Sequence, residues 1–140
     1  MGKICGKFAC TANEVNGMKH VDTIVLVEDL KVSKEFYINM IGLEILYDWG
    51  NMVVFKERFS IHQADKLMPE QEINKLIHTG KQGYNNIDIY FEAENIEEEY
   101  NKILQKEVKI IHGIIELPWQ KIFRIYDPDN HIIEIGGPHF

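Results

Sequence analysis

One order of hydrophobic periods runs through the first half of this chain and then starts again in the second, and a duplicated unit leaves few folds open. The stretch "HVDTIVLV", His20 to Val27, alternates and is rich in β-branched residues, which predicts a strand. "DLKVSKEFYINMIG" follows, with Asp29 able to cap an N-terminus and Gly42 a C-terminus; Val32, Phe36, Tyr37, Met40 and Ile41 recur at helical spacing. Three short strands fit "LEILYD", "NMVVFK" and "FSIHQA", broken by the turn-like Trp49-Gly50-Asn51 and the charged Lys56-Glu57-Arg58. After a polar link, "NNIDIYFE" alternates again, and Ile96, Tyr100, Ile103 and Leu104 form a second amphipathic helix that Asn95 can cap. "VKIIHGI", "KIFRIYD" and "HIIEIGG" then supply three more strands, the last two joined by the tight turn Asp127-Pro128-Asp129-Asn130. Both halves read βαβββ.

Numbering makes the repeat explicit. A shift of 64 carries Asp22 to Asn86, Val27 to Phe91, Val32 to Ile96 and Phe36 to Tyr100. Past a loop at Ile111 to Gln120 the shift becomes 72, carrying Ile61 to Ile133 and His62 to Glu134. At 140 residues the chain suits one domain. The predicted fold is α+β, with two βαβββ modules forming curved mixed sheets around a shared cavity. Module one covers 19–68, the link 69–83 and module two 84–137 of a domain over 19–140. Residues 1–18, which carry Cys5 and Cys10, are expected to be a flexible leader.

Alternate side chains of a strand face opposite ways, so each strand sorts its residues by parity. Val21, Thr23, Val25 and Val27 cover the helices, as do Ile87, Ile89 and Phe91 in the second module and Phe59, Ile61, Ile133 and Ile135 in the last strands. Asp22, His62, Asn86 and Glu134 then share the other face, two from each half. Arg124 falls on the same parity. Trp119 and Gln120 precede its strand in the lengthened loop, so an indole at the cavity mouth and a guanidinium for an anionic group are candidate substrate contacts. Tyr90, Trp49 and His112 are weaker candidates for the lining. His131 has the wrong parity and His139 lies past the last strand. The acidic run Glu92 to Tyr100 surrounds a helix start, where carboxylates favour the dipole and face solvent.

Several function classes drop out. A net charge of −7 with no basic cluster argues against nucleic acid. No apolar run approaches the roughly 20 residues of a membrane span, and the start lacks an apolar signal segment, so a cytoplasmic location is expected. Two cysteines in the leader cannot form a paired zinc site. Without a Gly-rich phosphate loop or a Ser-His-Asp arrangement, no nucleotide cofactor is expected.

Two segments carry a family resemblance. "VEDLKVSKEFYINMIGLEIL" and "FRIYDPDNHIIEI" are similar to the acidic turn with its Ser-x-x-Phe-Tyr helix, and to the Asp-Pro-Asp turn with its Glu strand, of the vicinal oxygen chelate superfamily: the glyoxalase, bleomycin-resistance and extradiol dioxygenase group. The resemblance covers about Lys19 to Gly137. It implies a glyoxalase-like fold, a small-molecule substrate, a homodimer, and in many members a divalent metal held by the first and last strands of each module. By position those ligands are Asp22, His62, Asn86 and Glu134. Histidine is usual at the first and third places, so the expected set is Asp22, His62 and Glu134 around Zn, Ni, Mn or Fe, with Asn86 left to substrate. Glu134 or Asp22 would move the proton in a glyoxalase-type lyase or isomerase reaction. A metal-free binding or drug-resistance protein of the bleomycin-resistance type is the alternative.

Overall fold

The computed structural model describes residues 17–18, 20–67 and 80–140. The leader apart from Gly17 and Met18, and most of the link, lie outside the described residues. Strand β1 (Ile24–Val27) leads into helix α1 (Leu30–Phe36), and β2 (Ile45–Asp48), β3 (Met52–Phe55) and β4 (Phe59–Gln63) complete module one. Module two repeats the order with β5 (Asp88–Glu92), α2 (Ile96–Leu104), β6 (Ile110–Glu116), β7 (Lys121–Tyr126) and β8 (Ile132–Gly136). The sheets run β1-β4-β3-β2 and β5-β8-β7-β6. In each, the first strand lies parallel to the last and the other pairs are antiparallel. This is the α+β fold of two modules that the repeat predicts.

Caps set the helix starts. Asp29 Oδ1 accepts the amides of Lys31 and Val32 at 3.1 and 3.3 Å, and Asn95 Oδ1 accepts that of Glu98 at 3.1 Å. Helix α1 loosens into a π turn over Tyr37–Ile41, which Gly42 ends at φ 90, a left-handed conformation that glycine enters without steric cost. Three boundaries differ from the sequence reading. β1 starts at Ile24 rather than His20, and β5 at Asp88 rather than Asn85. β6 runs on to Glu116, so the expected long loop shrinks to Leu117–Gln120.

Both helices cover one continuous core in which Val27, Tyr37, Val53, Phe55, Ile61, Phe123, Ile125 and Ile133 have no exposed surface. Each such side chain contributes about 1.5–3 kcal/mol. The β7–β8 turn clamps the modules together. Tyr37 donates its hydroxyl to Asp127 Oδ2 at 2.7 Å, and the Glu28 amide donates to both oxygens of Asp129 at 3.1 and 3.2 Å. His131 Nδ1 shares Asp127 Oδ2 at 2.9 Å and is buried, on the core side that its parity predicts. Burial holds the Asp129 carboxyl above the usual range, and burial together with Asp127 holds the Tyr37 phenol far above its own. Among the described residues, no helix is long and apolar enough to cross a membrane.

Candidate functional site

Strand register lines up one row of side chains across the helix-free face of each sheet. In module two the row is Tyr90, Glu134, Arg124 and His112, each level with the next across β5, β8, β7 and β6. In module one Ile24, Ser60, Val54 and Tyr47 are level in the same way across β1, β4, β3 and β2. The rows occupy equivalent places in the two modules. One is apolar and aromatic, the other charged.

Pseudo-symmetry therefore has a different step from the one read in the sequence. The N-caps Asp29 and Asn95 lie 66 positions apart, as do Ile24 and Tyr90, and Ser60 lies 74 before Glu134. Asp22 then corresponds to Asp88 rather than Asn86, and Glu134 to Ser60 rather than His62. Hydrogen bonds repeat this equivalence: the Ser60 hydroxyl donates to Asp22 Oδ2 in module one, and Asp88 shares a hydrogen bond with Glu134 in module two.

Module two's row is a connected chain of polar groups. Arg124 Nε and Nη2 reach Glu134 Oε1 at 3.0 and 2.9 Å, and Arg124 Nη1 lies 3.1 Å from His112 Nε2. His112 Nδ1 sits 2.7 Å from the Gly113 carbonyl, which accepts and so fixes the proton on Nδ1, leaving Nε2 to accept from Arg124. Next to this pair, desolvation first, then the hydrogen bond and the charge of Glu134, push the Asp88 carboxyl up to about 6, with Arg124 pulling the other way. Below the row, Gln120 is buried and donates to the Tyr90 hydroxyl at 3.1 Å and the Gly137 carbonyl at 2.8 Å.

The residues singled out from the sequence are only partly brought together. Glu134 and Arg124 are in contact. Asp22 precedes β1, and its Oδ1 is buried without a partner among the described residues. His62 is level with Leu26, four residues beyond Asp22, or roughly 13 Å at strand rise. Its Nδ1 lies 2.9 Å from the Gln63 carbonyl. Asn86 is exposed ahead of β5, and Trp119 stands exposed in the β6–β7 turn, past the last strand pair, Glu116 with Lys121. Beyond that set the rows bring in Asp88, which touches Glu134; Ser60; and Tyr90 and His112, which the sequence offered only as weaker candidates for the lining. The spacing between the two caps would have identified the first.

A divalent metal of the kind implied by the resemblance does not fit these donors. Among the described residues, no three His, Cys, Asp or Glu side chains converge. Glu134 is already met by a guanidinium through two nitrogens and shares a hydrogen bond with Asp88. A metal would have to displace that charge-assisted contact. His62 lies two residues along β4 from Ser60, the partner of Asp22.

A family model described as a glyoxalase-like domain matches residues 20–139. No curated protein matches the sequence. A crystal structure of a protein of unknown function from Agrobacterium tumefaciens is 34% identical, covers 89% of this chain and 98% of that one, and superposes with a TM-score of 0.75. Lactoylglutathione lyase from Agrobacterium tumefaciens shares the fold at 21% identity and TM-score 0.62, over 85% of this chain and 92% of its own. TnmS3, an antibiotic binding protein from Streptomyces, does so at 18% identity and 0.64, over 88% and 98%.

Proposed function

The chain belongs to the glyoxalase-like domain family, within the vicinal oxygen chelate superfamily, and from that premise we propose that it binds a small planar molecule without a metal, using the helix-free faces of its two sheets. The Arg124–Glu134 contact carries this reading. The family's expected carboxylate ligand is met by a fixed guanidinium, so the site's cation is a side chain. Of the two functions left open by the sequence, lyase or isomerase and metal-free binding, this donor set favours the second. The fold is shared with an antibiotic binding protein as well as with a lactoylglutathione lyase, so it is compatible with either.

The two rows suit a flat ligand. Module one offers Ile24, Val54 and Tyr47, with Trp49 stacked on Tyr47 at 5.4 Å between ring centroids. Module two offers Tyr90 and the polar row. Ile24, Tyr47 and Tyr90 are 41%, 51% and 44% exposed in the single chain, and a second copy facing them would close a cavity around the ligand, so the working form is proposed to be a homodimer. Light scattering in solution should give twice the chain mass.

The test uses protein stripped with EDTA and the neutral planar probe naphthamide, followed by calorimetric titration. Binding is expected with or without Mn, Ni, Fe or Zn. A response that vanishes with chelator and returns with one of these metals would refute the reading.

A further inference from the structure

From the donors that Arg124 leaves free, we infer that the ligand carries a carboxylate, received end-on by this guanidinium; the inference rests on the metal-free reading above. Arginine has five N–H donors in a rigid plane. Three of them are committed, two to Glu134 Oε1 and one to His112 Nε2. Two, one on each Nη, have no partner among the described residues, and the side chain keeps 33% exposure on the helix-free face.

The partners lock the group from both sides. β7 is an inner strand, with Glu134 on β8 and His112 on β6 level with Arg124. His112 adds orientation without charge, because its Nδ1 proton is held by the Gly113 carbonyl and its Nε2 accepts. The guanidinium is therefore preorganised, and a ligand oxygen need not order it on arrival.

Charge selects the class. Among the described residues, Arg124 is the only cation bonded within the row, against the carboxylates Glu134 and Asp88. A dianionic phosphate would meet two acids with a single cation. A monoanionic planar carboxylate adds half that charge and presents two oxygens to the two free N–H groups. The half-exposed Tyr90 ring, in the same row on the far side of Glu134, supplies a surface for the body of an aromatic acid.

The experiment compares naphthoate with its neutral isostere naphthamide by calorimetry in EDTA. Wild-type protein is expected to bind naphthoate about tenfold more tightly, the scale of a charge-assisted hydrogen-bond pair in a partly solvated site. Arg124→Gln should lower naphthoate affinity about tenfold more than naphthamide affinity, so that the preference disappears, and Arg124→Lys should restore only part of it, since an ammonium lacks the fork. His112→Ala keeps the guanidinium but frees its Nη1, and should weaken naphthoate by a fewfold more than naphthamide. Equal affinity for both probes in the wild type, or a preference that survives Arg124→Gln, would overturn the inference and leave metal-free binding standing. Failure of the parent reading would appear separately, as chelator-dependent binding of naphthamide.

Discussion

Replacing Glu134 by Gln should lower the titration midpoint of Asp88, and the size of the fall tests the geometry of the second-module row. Asp88 is raised from 3.8 to about 6 by desolvation, then by the hydrogen bond and the charge of Glu134, against the pull of Arg124. Two of the three raising causes belong to Glu134. Unit charges about 4 Å apart, at an effective dielectric of roughly 40 for a site this open to water, repel by about 2 kcal/mol, or somewhat over one pKa unit. Solvent screening of a largely exposed group reduces this to about one unit. In Glu134→Gln the guanidinium also loses its anion and acts on Asp88 alone, so the midpoint should fall below about 5 while desolvation keeps it above the free value. Arg124→Gln removes the opposing pull, and the midpoint should rise instead. Carbon-detected NMR of the side-chain carboxyls, titrated in each variant, reads both directions. A midpoint that stays near 6 in Glu134→Gln would show that the two carboxyls are not neighbours.

The same group shapes stability against pH. Because the folded Asp88 value is raised above its ordinary 3.8, its contribution is fully present below that value and is lost as pH rises through about 6. Relative to Asp88→Asn, wild-type protein should lose about 1 kcal/mol between those limits after solvent screening, measured as a shift in urea midpoint. Tyr37→Phe keeps the buried ring but removes a hydrogen bond to a carboxylate, and should destabilise the fold by about 2 kcal/mol in urea unfolding. Gly83→Ala would press a methyl group onto the Asn130 backbone, which cannot swing aside as a side chain would, and a loss of about 1–3 kcal/mol is expected by the same assay.

The architecture was legible in the sequence because it rests on period and punctuation: two alternating strands, two capped amphipathic helices and the Asp-Pro-Asp-Asn turn recur in order. Within the strands the buried face was legible too, since Val25, Ile61, Ile133 and Ile135 are buried, but Val21 and Ile87, expected on that face, lie ahead of β1 and β5 and are exposed. The level along the strands was not, and the reason is physical. A period of two is unchanged by a slip of two residues, so Asn86 and Asp88, or His62 and Ser60, satisfy the same alternation. Helix caps do not share that ambiguity, and Asp29 with Asn95 carries the true step of 66. The partnership of His112 with Arg124 depends on register shifts within β6 on either side of His112, which no hydrophobic pattern records. Asp127 and His131 read as turn and strand-start residues, yet they serve a buried clamp whose partner, Tyr37, lies 90 positions away.

The most direct test of the central claim is elemental analysis of the purified protein after loading with Mn, Ni, Fe and Zn and desalting, beside Glu134→Gln treated identically. If Arg124 is the cation of the site, the wild type will hold no more metal than the variant. One ion per chain in the wild type, lost in Glu134→Gln, would contradict the account.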